Sequence, residues 1–244
     1  MKVAIITAGQ PRFTPDFITV LGQLKGFESA DLYINLWKSD WADTVEQGMS
    51  KIQKILPAHI QLKRLNFAVQ PEKDLPSHDP TSDINELKWW YDRRIGQIQC
   101  LQMAFDLIQD QYDVVIRLRP DGCLGGDVDI SSLDFAVADM YFCQRGMGID
   151  QAAPNDQFFV GTQLGMKFLC DLYYNFDKYM IESCPAWQTD VHSWALEYII
   201  KTYYEKNNKA IHKGHFDYYI NRSGRSAYTV DKHTHVHIAP DPTA

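Results

Sequence analysis

The chain has 244 residues, of which 45% are hydrophobic and 13% aromatic, enough to bury a core and to argue against large-scale disorder. A formal net charge of −7 argues against nonspecific binding to nucleic acid or to an anionic membrane, although a local arginine cluster can still take an anionic ligand. Five cysteines, odd in number and without C-x-x-C spacing, fit free thiols in a reducing compartment better than a disulfide framework.

Lys2-Val-Ala-Ile-Ile-Thr7 reads as a strand, ended by the tight loop Ala8-Gly-Gln-Pro-Arg12. Phe17, Val20, Leu21 and Leu24 recur at helical spacing, and Asp31-Leu-Tyr-Ile-Asn-Leu-Trp37 reads as a second strand. Residues 50–57 are expected to form a short helix, 60–69 a third strand, and 70–83, with three prolines, a surface loop. The longest periodic stretch is 84–110, where Leu87, Tyr91, Ile95, Ile98, Leu101, Phe105 and Ile108 make an amphipathic stripe. Asp83 and Glu86 offer it an N-cap pair. A strand at 112–118 follows, then a glycine-rich turn at 122–126, strands at 139–143 and 155–161, and a helix over 163–178. Thr189 or Asp190 can cap a last helix running to about 206, with Val191, Trp194, Tyr198 and Thr202 on one side. Residues 210–238 read as short strands and loops. This order predicts one α/β domain, a mostly parallel mixed sheet flanked by helices, with 1–121 as a nucleotide-binding half and 122–244 as an acceptor half. With no signal sequence and no run of 18 apolar residues, a cytoplasmic protein without a transmembrane segment is expected.

The most informative segment is Tyr112-Asp-Val-Val-Ile-Arg-Leu-Arg-Pro-Asp121. Its apolar run is a buried strand, so Arg117, Arg119 and Asp121 fall at or beyond its C-terminal end, where open α/β sheets bind ligands. Arginine suits phosphate and aspartate suits Mg²⁺ or Mn²⁺, a pairing that points to a metal-bound nucleoside diphosphate. A buried Arg–Asp ion pair tying down a loop is the alternative. Gly9 and Gln10 let backbone approach a ligand, with Arg12 ready to meet a phosphate, although the loop is neither G-x-G-x-x-G nor a Walker loop. Arg94 and Gln97 sit at the margin of the helical stripe, either facing the nucleotide or solvated. Asp156 is placed to serve as a general base toward a hydroxyl, or to cap the start of a strand. His212 and His215 bracket Lys213-Gly214, and His233, His235 and His237 alternate, so either group could complete a metal shell or simply decorate a polar edge strand. His215 and His237 are the candidates carried forward.

Gly9-Gln-Pro-Arg12, the strand leading into Arg117-Leu-Arg-Pro-Asp121, and Asn155-Asp-Gln-Phe-Phe-Val-Gly161 together resemble the small GT-A-type glycosyltransferases of phages, algal viruses and bacterial surface-polysaccharide clusters. The resemblance covers roughly the first 165 residues. It implies a GT-A-like fold, a nucleotide-sugar donor (a UDP-sugar first), a carbohydrate or other hydroxyl acceptor, and Mn²⁺ or Mg²⁺ bridging the diphosphate at Asp121. That family presents an Asp-x-Asp motif to its metal, whereas Arg119-Pro-Asp121 keeps only the final aspartate. It also implies that Asp156 addresses the acceptor: an inverting transfer would use Asp156 as base, with Asp190 second, and a retaining one would not need it. A noncatalytic nucleotide- or carbohydrate-binding protein is the competing reading.

Overall fold

The computed structural model describes residues 1–11, 15–39, 42–70, 73–76, 84–144, 157–184 and 195–220. In chain order these form β1 (Val3–Gly9), α1 (Pro15–Gln23), β2 (Leu24–Lys25), β3 (Ala30–Trp37), α2 (Val45–Gln53), β4 (Ile60–Ala68), α3 (Ile84–Asp106), β5 (Val114–Leu118), β6 (Gly122–Leu124) and β7 (Val128–Asp129). Then come β8 (Met140–Gln144), β9 (Phe159–Gly161), α4 (Gln163–Cys170), α5 (Phe176–Ser183), α6 (Leu196–Lys206) and β10 (His212–Ile220).

The main sheet has the order β4-β3-β1-β5-β9-β8-β10-β6, with β2 and β7 pairing separately. Strands β4, β3, β1 and β5 are mutually parallel. Strand β9 runs against both β5 and β8, while β10 is parallel to β8 and antiparallel to β6. The expected α/β architecture with a mostly parallel mixed sheet is therefore the observed one. Both faces are covered, which is why β1, β3 and β5 read as near-continuous apolar runs. Ala4, Ile6, Ala8 and Val115 pack beneath α3, in a core that also takes α4, α5 and α6. Val3, Ile5, Leu32, Ile34, Val114 and Ile116 pack on the other side with Phe17, Val20 and Leu21 of α1.

Several elements differ from their sequence-based expectation: the glycine-rich stretch read as a turn at 122–126 opens with strand β6, and the strand expected over 155–161 is, within the described residues, only Phe159–Gly161. Helix α2 starts at Val45 instead of residue 50 because Thr44 caps it, its hydroxyl accepting from the Gln47 N–H at 3.2 Å. The single helix expected over 163–178 is interrupted at Asp171–Asn175 by a 3-10 turn. Leu169, Leu172, Phe176 and Met180, at helical spacing across this turn, are all buried. On α6 the buried face is Leu196, Ile199, Ile200, Tyr203 and Tyr204, whereas Tyr198 and Thr202 lie on its half-exposed flank. The apolar stripe one residue further on outcompetes them for the core. Residues 212–220, expected as short strands and loops, form one strand with a register shift between Gly214 and Asp217. The proposed caps Asp83, Thr189 and Asp190, together with Val191 and Trp194, lie outside the described residues.

Close approach between α4 and the residue before β8 requires Gly165, where a Cβ would collide with the Asp139 carbonyl oxygen. Gly165→Ala should destabilise the protein by about 1–3 kcal/mol. Gly22→Ala on α1, where a Cβ meets nothing within 4 Å, should be neutral or stabilising by up to about 1 kcal/mol. Urea unfolding of the two variants against the parent checks both signs.

Candidate functional site

Strand β1 has β3 on one side and β5 on the other, and the chain reaches β5 only after building β3 and β4 on the far side. The direction of winding therefore reverses between β1 and β5. At such a switch point the loops leaving the strand ends splay apart, leaving a crevice at the C-terminal edge. The two loops leaving these strands are Gly9-Gln10-Pro11 and Arg119-Pro120-Asp121. Gly9 ends β1 with φ +132°, a conformation that favours glycine, and Gln10 beyond it is exposed.

The second loop is a β-turn closed by the Gly122 N–H donating to the Arg119 carbonyl at 3.3 Å, with Pro120 at its second position. Arg119 donates to both oxygens of Asp121, Nε to Oδ1 at 2.8 Å and Nη2 to Oδ2 at 2.9 Å. The aspartate side chain is 3% exposed and the arginine side chain 21%. Burial alone would raise the Asp121 carboxyl. The Arg119 hydrogen bonds and charge outweigh that, helped by a backbone N–H and by Arg117, and hold the group below the ordinary carboxylate value.

Arg117 lies inside β5, not beyond it, and is 2% exposed. Its neighbours in register are Ile6 of β1 and Phe159 of β9. Its guanidinium lies 5.3 Å from the Phe159 ring and Nη1 donates to the Gln157 carbonyl. This ties β5 to the Asn155-Asp-Gln157 segment at the residue next to Asp156.

Helix α3 runs from the C-terminal edge of the sheet back to the start of β5. Cys100 marks its level with the strand ends. The Gly9 N–H bonds to the Cys100 thiol, and Asn35 Nδ2 donates to the same sulfur at 3.1 Å. Gln97 and Arg94, three and six residues earlier, lie about 4.5 and 9 Å further toward or past that edge. Both are half-buried and flanked by the buried Tyr91, Ile95, Ile98 and Leu101, so they occupy the sheet-facing side of the helix. The Arg94 guanidinium sits 5.2 Å from the Trp90 ring. Its Nε is buried with no hydrogen-bond partner among the described residues, an arrangement that a bound anion would satisfy.

The structure thus gathers Gly9, Gln10, Arg94, Gln97, Arg117, Arg119 and Asp121 along one edge. Arg12, Asp156 and His237 lie outside the described residues. The backbone of His215 is in β10, five residues before Ile220, which pairs with Gly122, so the strand does not bring it to the Asp121 turn. Asn35, fully buried and accepting from Asn66 Nδ2 at 2.6 Å, is a polar member of this edge missed by sequence reasoning. Its signal was an amide in the middle of an apolar strand. Burial pushes the Cys100 thiol up to about 12 against the opposing influence of Asn35, Gly9 and Arg117, so the protonated thiol is the favoured form near neutrality. All five cysteines are free.

Asp121 is also the test of the implied divalent ion. Both of its oxygens are engaged by a guanidinium, and its side chain is sealed from solvent. A carboxylate in that condition does not fit a resident Mn²⁺ or Mg²⁺, which needs open oxygen ligands. Two surface hollows lie at the opposite, N-terminal edge of the sheet. One is lined by Asp139, Tyr204, Lys209 and His212, the other by Lys2, Phe27, Glu28 and Asp31. Of the histidines weighed as metal ligands only His212 is among the described residues lining either hollow, and no candidate arginine or aspartate is. Among the described residues no helix is long and apolar enough to cross a membrane.

No protein-family model matches the chain, and no curated protein matches its sequence.

The depressed carboxyl of Asp121 contributes stability above the unfolded-state value of about 4, and that stability drains away as pH falls through the lower folded-state value. Asp121→Asn should cost about 3–5 kcal/mol near neutrality by removing the bidentate carboxylate partner of a half-buried guanidinium. The gap between variant and parent should narrow below about pH 4. Urea denaturation from pH 3 to 7 measures it; a gap independent of pH would remove the ion pair from the stability of the fold.

Proposed function

We propose that the chain is a glycosyltransferase that takes a sugar from a nucleotide-sugar donor, a UDP-sugar first, and passes it to a hydroxyl acceptor. The observation that carries this reading is the meeting of the Gly9 loop and the Arg119–Asp121 turn at the switch point of a parallel sheet, with Arg94 and Gln97 facing the same edge. In this reading the donor's diphosphate lies across that edge, near exposed backbone at Gly9-Gln10 and near guanidinium groups. As the bond between the anomeric carbon and the β-phosphate oxygen breaks, negative charge builds on the departing diphosphate. Fixed positive groups around it favour that charge more than they favour the intact donor. For inversion, Asp156 takes the proton of the attacking acceptor hydroxyl. Its neighbour Gln157 is anchored by Arg117, which would fix where such a base enters the site. Residues 1–121 then form the donor half and 122–244 the acceptor half, in a GT-A-like arrangement.

The second reading, a noncatalytic nucleotide- or carbohydrate-binding protein, is favoured by the sealing of Asp121. Turnover separates the two. Hydrolysis and transfer assays across UDP-sugars should detect release of UDP from at least one donor, and Asp156→Asn should cut that rate by about 100-fold or more while leaving UDP binding in place. Tight binding with no turnover for any donor would establish the binding protein instead. Arg94→Met should weaken UDP about tenfold while leaving uridine unaffected, as titration calorimetry would show. Equal losses for the two would move Arg94 away from the phosphates.

A further inference from the structure

The turn after β5 contains two opposite charges, and their exposures are unequal: 21% for the Arg119 side chain and 3% for that of Asp121. A ligand arriving at this edge therefore meets the guanidinium first, while the carboxylate lies behind it. The pair is bidentate at 2.8 and 2.9 Å, and its Nε–Nη2 edge fixes the plane of the guanidinium. Pro120 and the closed turn hold the two residues in that relation from the backbone side. Arg117, fully buried and tied to the Gln157 carbonyl, adds a second positive charge behind the turn. A divalent ion would have to reach a sealed carboxylate through a guanidinium of its own sign. An anion has no such obstacle.

We propose that Arg119, oriented by Asp121, is itself the cation that neutralises the donor's diphosphate, and that nucleotide binding at this turn proceeds without a divalent ion. Asp121 is then a positioning residue that holds a guanidinium, not a metal ligand. This rests on the donor reading above and replaces the metal role that the sequence resemblance attaches to Asp121.

Calorimetric titration of UDP, and of uridine as the phosphate-free control, into the full chain tests it in two buffers, one with EDTA and one with MnCl₂. Parent protein should bind UDP with affinities within about twofold of each other in the two. The double variant Arg119→Met/Asp121→Asn removes both members of the bidentate pair together, so neither is left facing the other's vacancy and it should keep a cooperative thermal unfolding transition. It should also lose at least about tenfold in UDP affinity without a matching loss for uridine. Arg119→Lys, which keeps the charge but loses the fork, should fall between. Mn²⁺ titrated alone, followed by paramagnetic resonance of the free ion, should bind parent and Asp121→Asn alike, at a temperature where the unfolding transition shows the variant still folded. UDP binding that appears only with Mn²⁺, Mn²⁺ affinity that disappears in Asp121→Asn, or full UDP affinity in the folded double variant would each overturn the assignment while leaving a nucleotide site standing. Failure of the parent to bind any nucleoside diphosphate in either buffer would overturn the donor reading together with it.

Discussion

The parallel pairing of β1 with both β3 and β5 is the constraint on which the rest of the structure depends. Its register sets Val3 beside Ala30 and Val114, and Thr7 beside Ile34 and Leu118, so the three strands start level while β1 and β3 run on past the end of β5. A one-residue slip between β1 and β5 would turn Arg117 from the α3 face to the α1 face of the sheet. There it would confront Ile5, Ile34 and Val160 instead of Phe159 and the Gln157 carbonyl. The alternating apolar side chains of β1 and β5 exclude that slip, because both faces are buried and each carries its own packed layer.

With the register set, the electrostatics of the edge follow. A chain carrying net negative charge concentrates Arg94, Arg117 and Arg119 at the C-terminal end of its central strands. Asp121 holds one of the three, Arg119, through a bidentate ion pair. Burying a guanidinium is costly unless it is paired or hydrogen-bonded. Arg117 meets that demand with a backbone carbonyl and the face of Phe159. Arg119 meets it with Asp121, which gives the turn a defined geometry at the cost of the carboxylate's openness. One ion pair thus makes folding stability depend on pH and closes the carboxylate of this edge.

Strands β1, β3, β4 and β5 and helix α3 were legible because each is a long run with a single strong period, and local pattern suffices for those. Boundaries were less so. Thr44 draws α2 five residues earlier through a cap whose geometry depends on where the chain comes from. The α4–α5 stretch has continuous helical periodicity, yet Asp171–Asn175 winds as a 3-10 turn, with Leu172 and Phe176 both in the core beneath α3. On α6 two apolar stripes compete, and the choice of Ile199, Ile200, Tyr203 and Tyr204 over Tyr198 and Thr202 is made by the Phe142 and Phe168 rings that wait there.

At the site, residue types and their order along the chain were readable from the sequence alone: glycine after the first strand, and two arginines and an aspartate around the end of β5. An apolar run bounded by Pro120 must be a short buried strand, and charges beside it must be paired or used. Whether they were paired was decided by three-dimensional proximity. Which partner each arginine takes depends on the path of the chain through the turn and on β9 arriving antiparallel beside β5, and neither is encoded in spacing. The same holds for Arg94 and Gln97, whose place on the sheet-facing side of α3 follows from how that helix rolls onto β1 and β3. Periodicity names the faces of a helix, but only packing tells which charged residue at the margin is turned inward.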